Sequence, residues 1–553
     1  MSLNLLRQKT RLLLGTSDQH LAAFIALSRD LFRLFPLRGA ARERSTGQLL
    51  IARSLPLLFC VWLAAPAASQ PVPDYPELPR DEFSPIWWSQ YAIGDGTLKL
   101  QVQLSVTDPV QNVVLEFWQK DGAWKAVGEG AIDPLSRTVL FQVPDWDSSA
   151  AVPYRVVHPE AQQPWSGVIR AEPARGERVT LLAVSCLNSK DFPYAEAVER
   201  IEQQDPDLMF FAGDQIYEGN GGFGIVRART SEEVPQAVEN YLRKWWYFGM
   251  TFRKLLRDRP SIMTPDDHDL YSNDLWGDGG RVMTGPRTTG GYVMHPEWVN
   301  AIERTQMGHL PDPVDPTPLP SGIRPRYTAL NWGDASFAIL EDRKFKSPPS
   351  QVLQAPIGTN SLEMVRDPDF DPRQVDRPGL HLLGDAQQRF LRRWAVRPNE
   401  GRMKAVLSQS PFVNIATYHP LDADLDSNGW PQGPRTEALR SCLLADAVLI
   451  QGDVHLATVY QHALDDWGDG PWAMSLAGFH PPSFREWHRD FGNNVDRFGN
   501  RFTIKAAANG KSGYGLVHFD PAADTVTFEA WPTEGSEQLQ GWPITVDPAV
   551  EAE

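Results

Sequence analysis

Residues 179–186 read VTLLAVSC, residues 193–204 read PYAEAVERIEQQ, and residues 207–214 read DLMFFAGD. The outer two pieces carry unbroken apolar runs, and the piece between them has helical spacing. An apolar run without alternation is the pattern of a strand buried on both faces, and strand–helix–strand is the unit of a covered parallel sheet. The same beat recurs downstream. A helix over 234–248 precedes the run 261–264, and the run 336–340 stands alone. A helix over 385–396 precedes the run 403–410, and a helix over 435–445 precedes the run 447–451. From about residue 178 the chain therefore predicts an α/β (α+β) domain whose sheets are flanked by helices.

Upstream the texture differs. TLKLQVQLSV (97–106), NVVLEFWQ (112–119), TVLFQV (138–143) and VPYRVVH (152–158) alternate apolar and polar residues between turn-rich pieces. Alternation marks half-buried antiparallel strands, and several in succession predict a small all-β immunoglobulin-like sandwich over residues 70–177, with no chemistry of its own. Within the later domain, residues 279–326 are rich in Pro and Gly and read as a long surface loop or lid. WWYF (Trp245 to Phe248) reads as part of such a lid or of an apolar pocket.

The first 69 residues hold nine basic and three acidic side chains in a chain whose formal net charge is -16. Leu55 to Ala68 is apolar or small throughout, follows Arg53 and ends in small residues. It falls short of the ~20 residues of a spanning helix. A basic start, a short apolar run and a small-residue end describe an export signal, the alternative being a membrane anchor through 55–68. The mature chain is then expected in the periplasm or outside the cell, without a stable membrane span. The acidic balance argues against a nucleic-acid partner. Once Cys60 leaves with the signal, Cys186 and Cys442 remain, too few for a disulfide framework. Cys442 lies mid-helix and is expected buried and unpaired.

Chemistry gathers where the apolar runs end. Cys186 follows VTLLAVS, Asp214 follows DLMFFAG, Asp266-Asp267-His268-Asp269 follows SIMTP, and Asp453-Val454-His455 follows AVLIQG. Beyond the carboxyl ends of strands is where open α/β sheets place functional side chains. Taken one at a time, these residues read as turn, cap or core residues. Taken together, they would bury several carboxylates at one edge, at several kcal/mol per charge, unless a polyvalent cation joins them. A thiolate at Cys186 also suits nucleophilic catalysis, but a metal accounts for Asp214, Asp267 and Asp453 as well.

The order C…GDxxY…DDH…GDVH resembles that of PhoD-type alkaline phosphatases, within the calcineurin-like and purple-acid-phosphatase-like metallophosphoesterases. The resemblance covers the chain beyond the export signal and implies stacked β-sheets flanked by helices over 178–545, with 546–553 as a tail. It implies that Asp214 bridges two ions, that Tyr217 binds a ferric ion as phenolate, and that Cys186 stands where other members use aspartate. It further implies Asp267, Asp453 and His455 as ligands, and His268 as the group that steadies the phosphate or protonates the leaving oxygen. Arg343, in Glu341-Asp342-Arg343, is the candidate for gripping a phosphate oxygen. Two departures stand out: Asp269 replaces the usual glutamate, and the usual Asp-x-Arg reads Glu341-Asp342-Arg343; the histidine that relatives outside this branch supply between the DDH and GDVH motifs has no secure counterpart. The implied cofactor is a dinuclear or multinuclear site of Fe(III) with Ca, with Mn, Mg or Zn as substitutes. The implied activity is metal-dependent hydrolysis of a small phosphate ester. A phosphodiesterase or phospholipase-type hydrolase and a catalytically silent metal-stabilised binding protein are the alternatives, and the oligomeric state stays open.

Overall fold

The alternating segments become strands that send successive side chains to opposite faces. In the computed structural model, which describes residues 84–106, 112–353, 364–398, 402–427 and 429–549, these are β1 (Ile86–Gly94), β2 (Thr97–Leu104), β3 (Asn112–Trp118), β4 (Trp124–Ala131), β5 (Thr138–Val143), β6 (Val152–Val157) and β7 (Trp165–Ile169). The export signal expected within residues 1–69 lies outside the described residues. The strands form two sheets in the orders β1-β2-β5 and β4-β3-β6-β7, an immunoglobulin-like arrangement. Along β3, Val113, Leu115 and Phe117 are buried while Asn112 and Trp118 are exposed, as one wet face requires.

The α/β part continues with β8 (Val179–Val184), α1 (Ala195–Gln204), β9 (Leu208–Phe211), α2 (Val234–Asp258), β10 (Ser261–Met263) and α3 (Pro296–Met307). Next come β11 (Thr328–Trp332), β12 (Ala335–Ile339), the one-turn α4 (Asp342–Phe345), β13 (Met364–Val365), α5 (Gly384–Val396), β14 (Met403–Ser408), β15 (Ala423–Asp424) and α6 (Gln432–Leu444). The last strands are β16 (Ala447–Gln451), β17 (Ala457–Ala463), β18 (Trp472–Ser475), β19 (Gly492–Val495), β20 (Arg501–Ala508), β21 (Gly513–Asp520), β22 (Thr525–Pro532) and β23 (Ile544–Val546). Among the described residues they make a sheet ordered β10-β9-β8-β21-β22-β23 and a second ordered β11-β12-β14-β16-β18-β17-β20-β19. Strands β8, β9 and β10 are mutually parallel, and so are β12, β14, β16 and β18.

The two sheets stack face to face. Leu181 and Ala183 of β8 share one core with Phe337, Leu407, Ile450 and Val517, and Phe337 meets Phe519 edge-on at 5.6 Å. The alternate residues Leu182 and Val184 join α1 and α2 in a second core. On the far side, Val406 and Leu449 join α5 and α6. Strands with apolar layers on both faces have no polar positions to spare, which is why the sequence shows runs rather than alternation. Cys442 is buried in that last core and unpaired.

Two expectations are corrected. Residues 279–326 are not simply a surface loop: α3 runs through their middle, with Trp298, Val299 and Ile302 buried. Its Pro-rich flanks obscure a helical stretch that His295 caps by accepting the Glu297 N–H at 3.3 Å. Trp245, Trp246 and Phe248 are not a lid, because α2 buries them completely or nearly so.

The front sandwich packs directly on these helices. β1 is buried from Ile86 to Ile93, and Trp88 lies in a notch at Gly249 of α2, where a Cβ would come within 2.0 Å of the indole. Gln90 and Gln101 satisfy carbonyls at the end of α3: both reach Thr305 O, at 2.9 and 2.8 Å, and Gln101 also reaches Arg304 O at 3.0 Å. His309 is buried beside them, 3.0 Å from Gln90 Nε2.

Candidate metal centre

Neighbouring parallel strands end level with one another, so the residues just past them converge. Beyond β8 comes Cys186, beyond β9 comes Asp214, and beyond β10 come Asp266 to Asp269. Backbone bonds hold the first two together, from Cys186 N to Gly213 O at 3.1 Å and from Leu187 N to Asp214 O at 2.8 Å. The other sheet contributes Arg343 beyond β12, Asp424 and Asp426 from the segment after β14, and Asp453 and His455 beyond β16. Cys186, Asp214, Asp453 and His455 all have positive φ, between +52° and +67°. Side-chain-bearing residues held in this sparsely populated region concentrate at functional sites. Gly213 has φ +98°, and a Cβ there would lie 2.3 Å from that of Asp266.

The side chains form a chain of adjoining clusters. Donor atoms of Cys186, Asp214 and His455 lie within 4.8 Å of one another, and the same holds for Asp214, Asp267 and His268. It holds again for Asp266, Asp267 and Asp453, and for Asp267, Asp274 and Asp426. Tyr217 joins the first cluster through its hydroxyl, 3.1 Å from His455 Nε2. All six residues expected as metal ligands, and His268, are thus brought together. Asp214 and Asp267 are shared between clusters.

Several participants escaped the sequence reading as site residues. Glu218, directly after Tyr217, holds His268 Nδ1 at 2.7 Å. Asp269 is fully buried, and its two oxygens accept from Asp214 N (2.7 Å), Asp266 N (2.9 Å), Ile216 N (3.2 Å) and Gln306 Nε2 (2.9 Å). It fastens the Asp214 and Asp266 loops to each other. Asp274, Asp424, Asp426 and Arg485 complete the set. The alternation Asp422, Asp424, Asp426 was the available clue to the last segment.

Arg343, the residue expected to grip a phosphate oxygen, is enclosed by acids. It is 1 % exposed, with Nε at 2.5 Å from Asp266, Nη1 at 2.5 Å from Asp426 and Nη2 at 3.0 Å from Asp453. Each nitrogen faces a carboxylate, so in this arrangement Arg343 ties three acids together.

The electrostatics test whether cations fit here. Burial, reinforced by neighbouring carboxylates, pushes Cys186, Asp214 and Tyr217 well above their ordinary values. Burial also raises Asp266 and Asp267, against the pull of Arg343 and other cationic neighbours. Taking these groups out of water without a countercharge disfavours their charged forms. Asp453 is the exception: burial opposes it, yet Arg343 and Arg485 bring it down to about 2. Asp426 Oδ2 and Asp453 Oδ2 are buried without hydrogen-bond partners. A thiol, a phenol, an imidazole and several carboxylates with orphaned oxygens form a donor set that suits polyvalent ions.

Stacked sheets with such a centre at their carboxyl ends define a metallophosphoesterase. The chain matches the PhoD-like phosphatase family over residues 181–517 and belongs to it. No curated protein matches it in sequence. A solved structure of PhoD aligns with a TM-score of 0.59 at 16 % identity, covering 85 % of this chain and 90 % of that one. The purple acid phosphatase PPD1 from yellow lupin (Lupinus luteus) seeds aligns with a TM-score of 0.51 at 11 % identity, covering 83 % and 72 %. At these identities the likeness is one of fold. The protein is a phosphoester hydrolase, and the linked acid, thiol and imidazole clusters are those of a multinuclear metal site. Among the described residues, no helix is long and apolar enough to cross a membrane.

Proposed function

We propose that this chain is an exported hydrolase of small phosphate esters in which Cys186, Asp214, Tyr217, Asp267, Asp453 and His455 hold the cations and His268 serves the leaving oxygen. The observation that carries the reading is the sharing of Asp214 and Asp267 between adjoining clusters, since a common carboxylate sets two ions at the spacing one phosphoryl group needs. When bound, such ions neutralise phosphate charge and make water a nucleophile near neutral pH. The thiol and phenol of Cys186 and Tyr217 favour Fe(III), and the carboxylates around Asp267 suit Ca, Mn or Mg.

The chain's own residues do the rest. Glu218 engages His268 Nδ1, leaving Nε2 for the substrate. Burial works against the imidazolium, but Asp267, Asp214 and Glu218 outweigh it and raise His268 well above its ordinary value. In this reading His268, oriented by Glu218, supplies the proton to the departing alkoxide. Arg343 keeps Asp266, Asp426 and Asp453 at fixed separation. No covalent phospho-enzyme is required.

The export half of the reading rests on Arg53 and the run Leu55–Ala68, and N-terminal sequencing of protein recovered outside the cytoplasm tests it. The hydrolytic half is tested with a chromogenic phosphate monoester and the matching diester, assaying metal content on the same sample. Activity and near-stoichiometric metal that both collapse in Asp214→Asn are expected, and the monoester-to-diester ratio ranks the substrates. A folded, metal-loaded protein that turns over neither ester refutes it.

A further inference from the structure

Arg343 is committed to three carboxylates, and a second guanidinium, that of Arg485, lies beside the centre. Its Nη1 reaches Ser427 Oγ at 2.7 Å, Asp424 Oδ2 at 3.3 Å and Asp453 Oδ2 at 3.8 Å, which sets it beside one of the proposed ligands. Its Nε is buried with no hydrogen-bond partner. The side chain keeps 10 % exposure against 2 % for Arg343, so it borders the outside where Arg343 does not.

Around Arg485 two segments meet at the surface. Its segment, between β18 and β19, is stitched to the segment after β14 by backbone bonds between Glu486 and Thr417, the shorter at 3.1 Å. His488 Nε2 to Thr417 O at 3.2 Å and Tyr418 OH to Ser483 Oγ at 3.2 Å add to the seam. The Tyr418 ring lies 5.5 Å from the Arg485 guanidinium. Tyr418, Phe484 and Leu421 are 51 %, 41 % and 37 % exposed on these two segments. A guanidinium stacked on a ring is weakly hydrated and keeps its planar fork for an oxyanion.

We propose that Arg485 grips the substrate's phosphate and that Tyr418 beside it receives an apolar group carried by the ester, so that the preferred substrates are phosphoesters with aromatic or long apolar leaving groups. This rests on the phosphoester reading above.

The test uses the full chain, metal-loaded, with orthovanadate as a phosphate mimic followed by calorimetry, and with p-nitrophenyl phosphate and methyl phosphate as substrates. In Arg485→Lys, vanadate affinity is expected to fall about tenfold or more, because an ammonium cannot replace a fork, with metal content and melting temperature unchanged. In Tyr418→Ala, KM for the aryl ester is expected to rise about fivefold, with that for methyl phosphate unmoved. A folded, loaded Arg485→Lys that binds vanadate like the parent overturns the proposal, and so does a Tyr418→Ala variant that treats both esters as the parent does. If Arg485→Lys does not fold, the half-exposed Tyr418 position decides alone. A parent that neither binds vanadate nor hydrolyses either ester overturns the phosphoester reading and this proposal with it.

Discussion

Replacing Asp269 with asparagine should loosen the metal centre from behind, without removing a single ligand. The volume is unchanged, but one acceptor oxygen becomes an NH2. On the Oδ2 side it would face two backbone donors, Asp214 N and Asp266 N. On the Oδ1 side it would face Ile216 N and the Gln306 amide, whose Nε2 also donates to Tyr241 OH at 2.8 Å and whose oxygen accepts from Gln215 at 2.9 Å. The second placement costs less. It orphans one buried backbone N–H, about 1–3 kcal/mol, and weakens the bonds that had a charged acceptor by about 1 kcal/mol more. The sum is roughly 2–4 kcal/mol. Burial pushes Asp269 up to about 7 against the pull of those donors, so the comparison belongs at about pH 8.5, where the carboxylate is ionised. Guanidinium unfolding of metal-free parent and variant reads the difference, and metal affinity should fall alongside. A loss below ~1 kcal/mol with unaltered metal binding would show that Asp269 fastens nothing.

Three further outcomes are expected. Gly213→Ala should cost about 2–4 kcal/mol in thermal unfolding and reduce metal content, since it combines a strained φ with a Cβ 2.3 Å from Asp266. Arg343→Met should destabilise by about 3–5 kcal/mol by leaving buried Asp266 and Asp426 without their guanidinium and Asp453 with Arg485 alone. A double-mutant cycle with Asp426→Asn should recover part of that loss, and strict additivity would contradict the ion-pair account. Lys244, buried with Asn240 and the Tyr271 hydroxyl as partners (2.8 and 2.6 Å), is brought by burial down to about 7. The unfolded chain therefore binds the extra proton between about pH 7 and 10.4, and stability attributable to this lysine rises with pH across that window, by roughly 5 kcal/mol in all. Lys244→Met should remove that rise, as denaturant melts of both proteins across the window would register.

The strand ends were legible because two independent signals coincided there: an apolar run saying where a strand stops, and a thiol, carboxylate or imidazole just past it. That is how Cys186, Asp214 and Asp453 stood out before any coordinates. Asp426 and Arg485 gave no such coincidence, because they lie in irregular segments that reach the centre only through tertiary packing. Asp269 was visible merely as a departure from the family pattern. Its burial beneath four N–H donors depends on α3, which the Pro-rich composition of 279–326 had disguised as loop. The three acids around Arg343 were not legible, since sequence does not say which anions a guanidinium meets. Alternation made β2, β3, β5 and β6 of the sandwich legible; β1, β4 and β7 were not read from it, and the second face of β1 is dry because α2 covers it.

That covering has a consequence for the enzyme as a machine. Gln90 and Gln101 hold the last turn of α3 at Thr305 O. The next residue, Gln306, reaches Asp269, and Asp269 sets the backbone of Asp214. The front sandwich is thus a ruler whose far end lies at the cations. A one-residue slip between β1 and β2 would carry the two glutamines out of reach of that carbonyl and be felt as a change in ion spacing. A catalytic part shorn of its sandwich would keep every ligand and lose the gauge that spaces them.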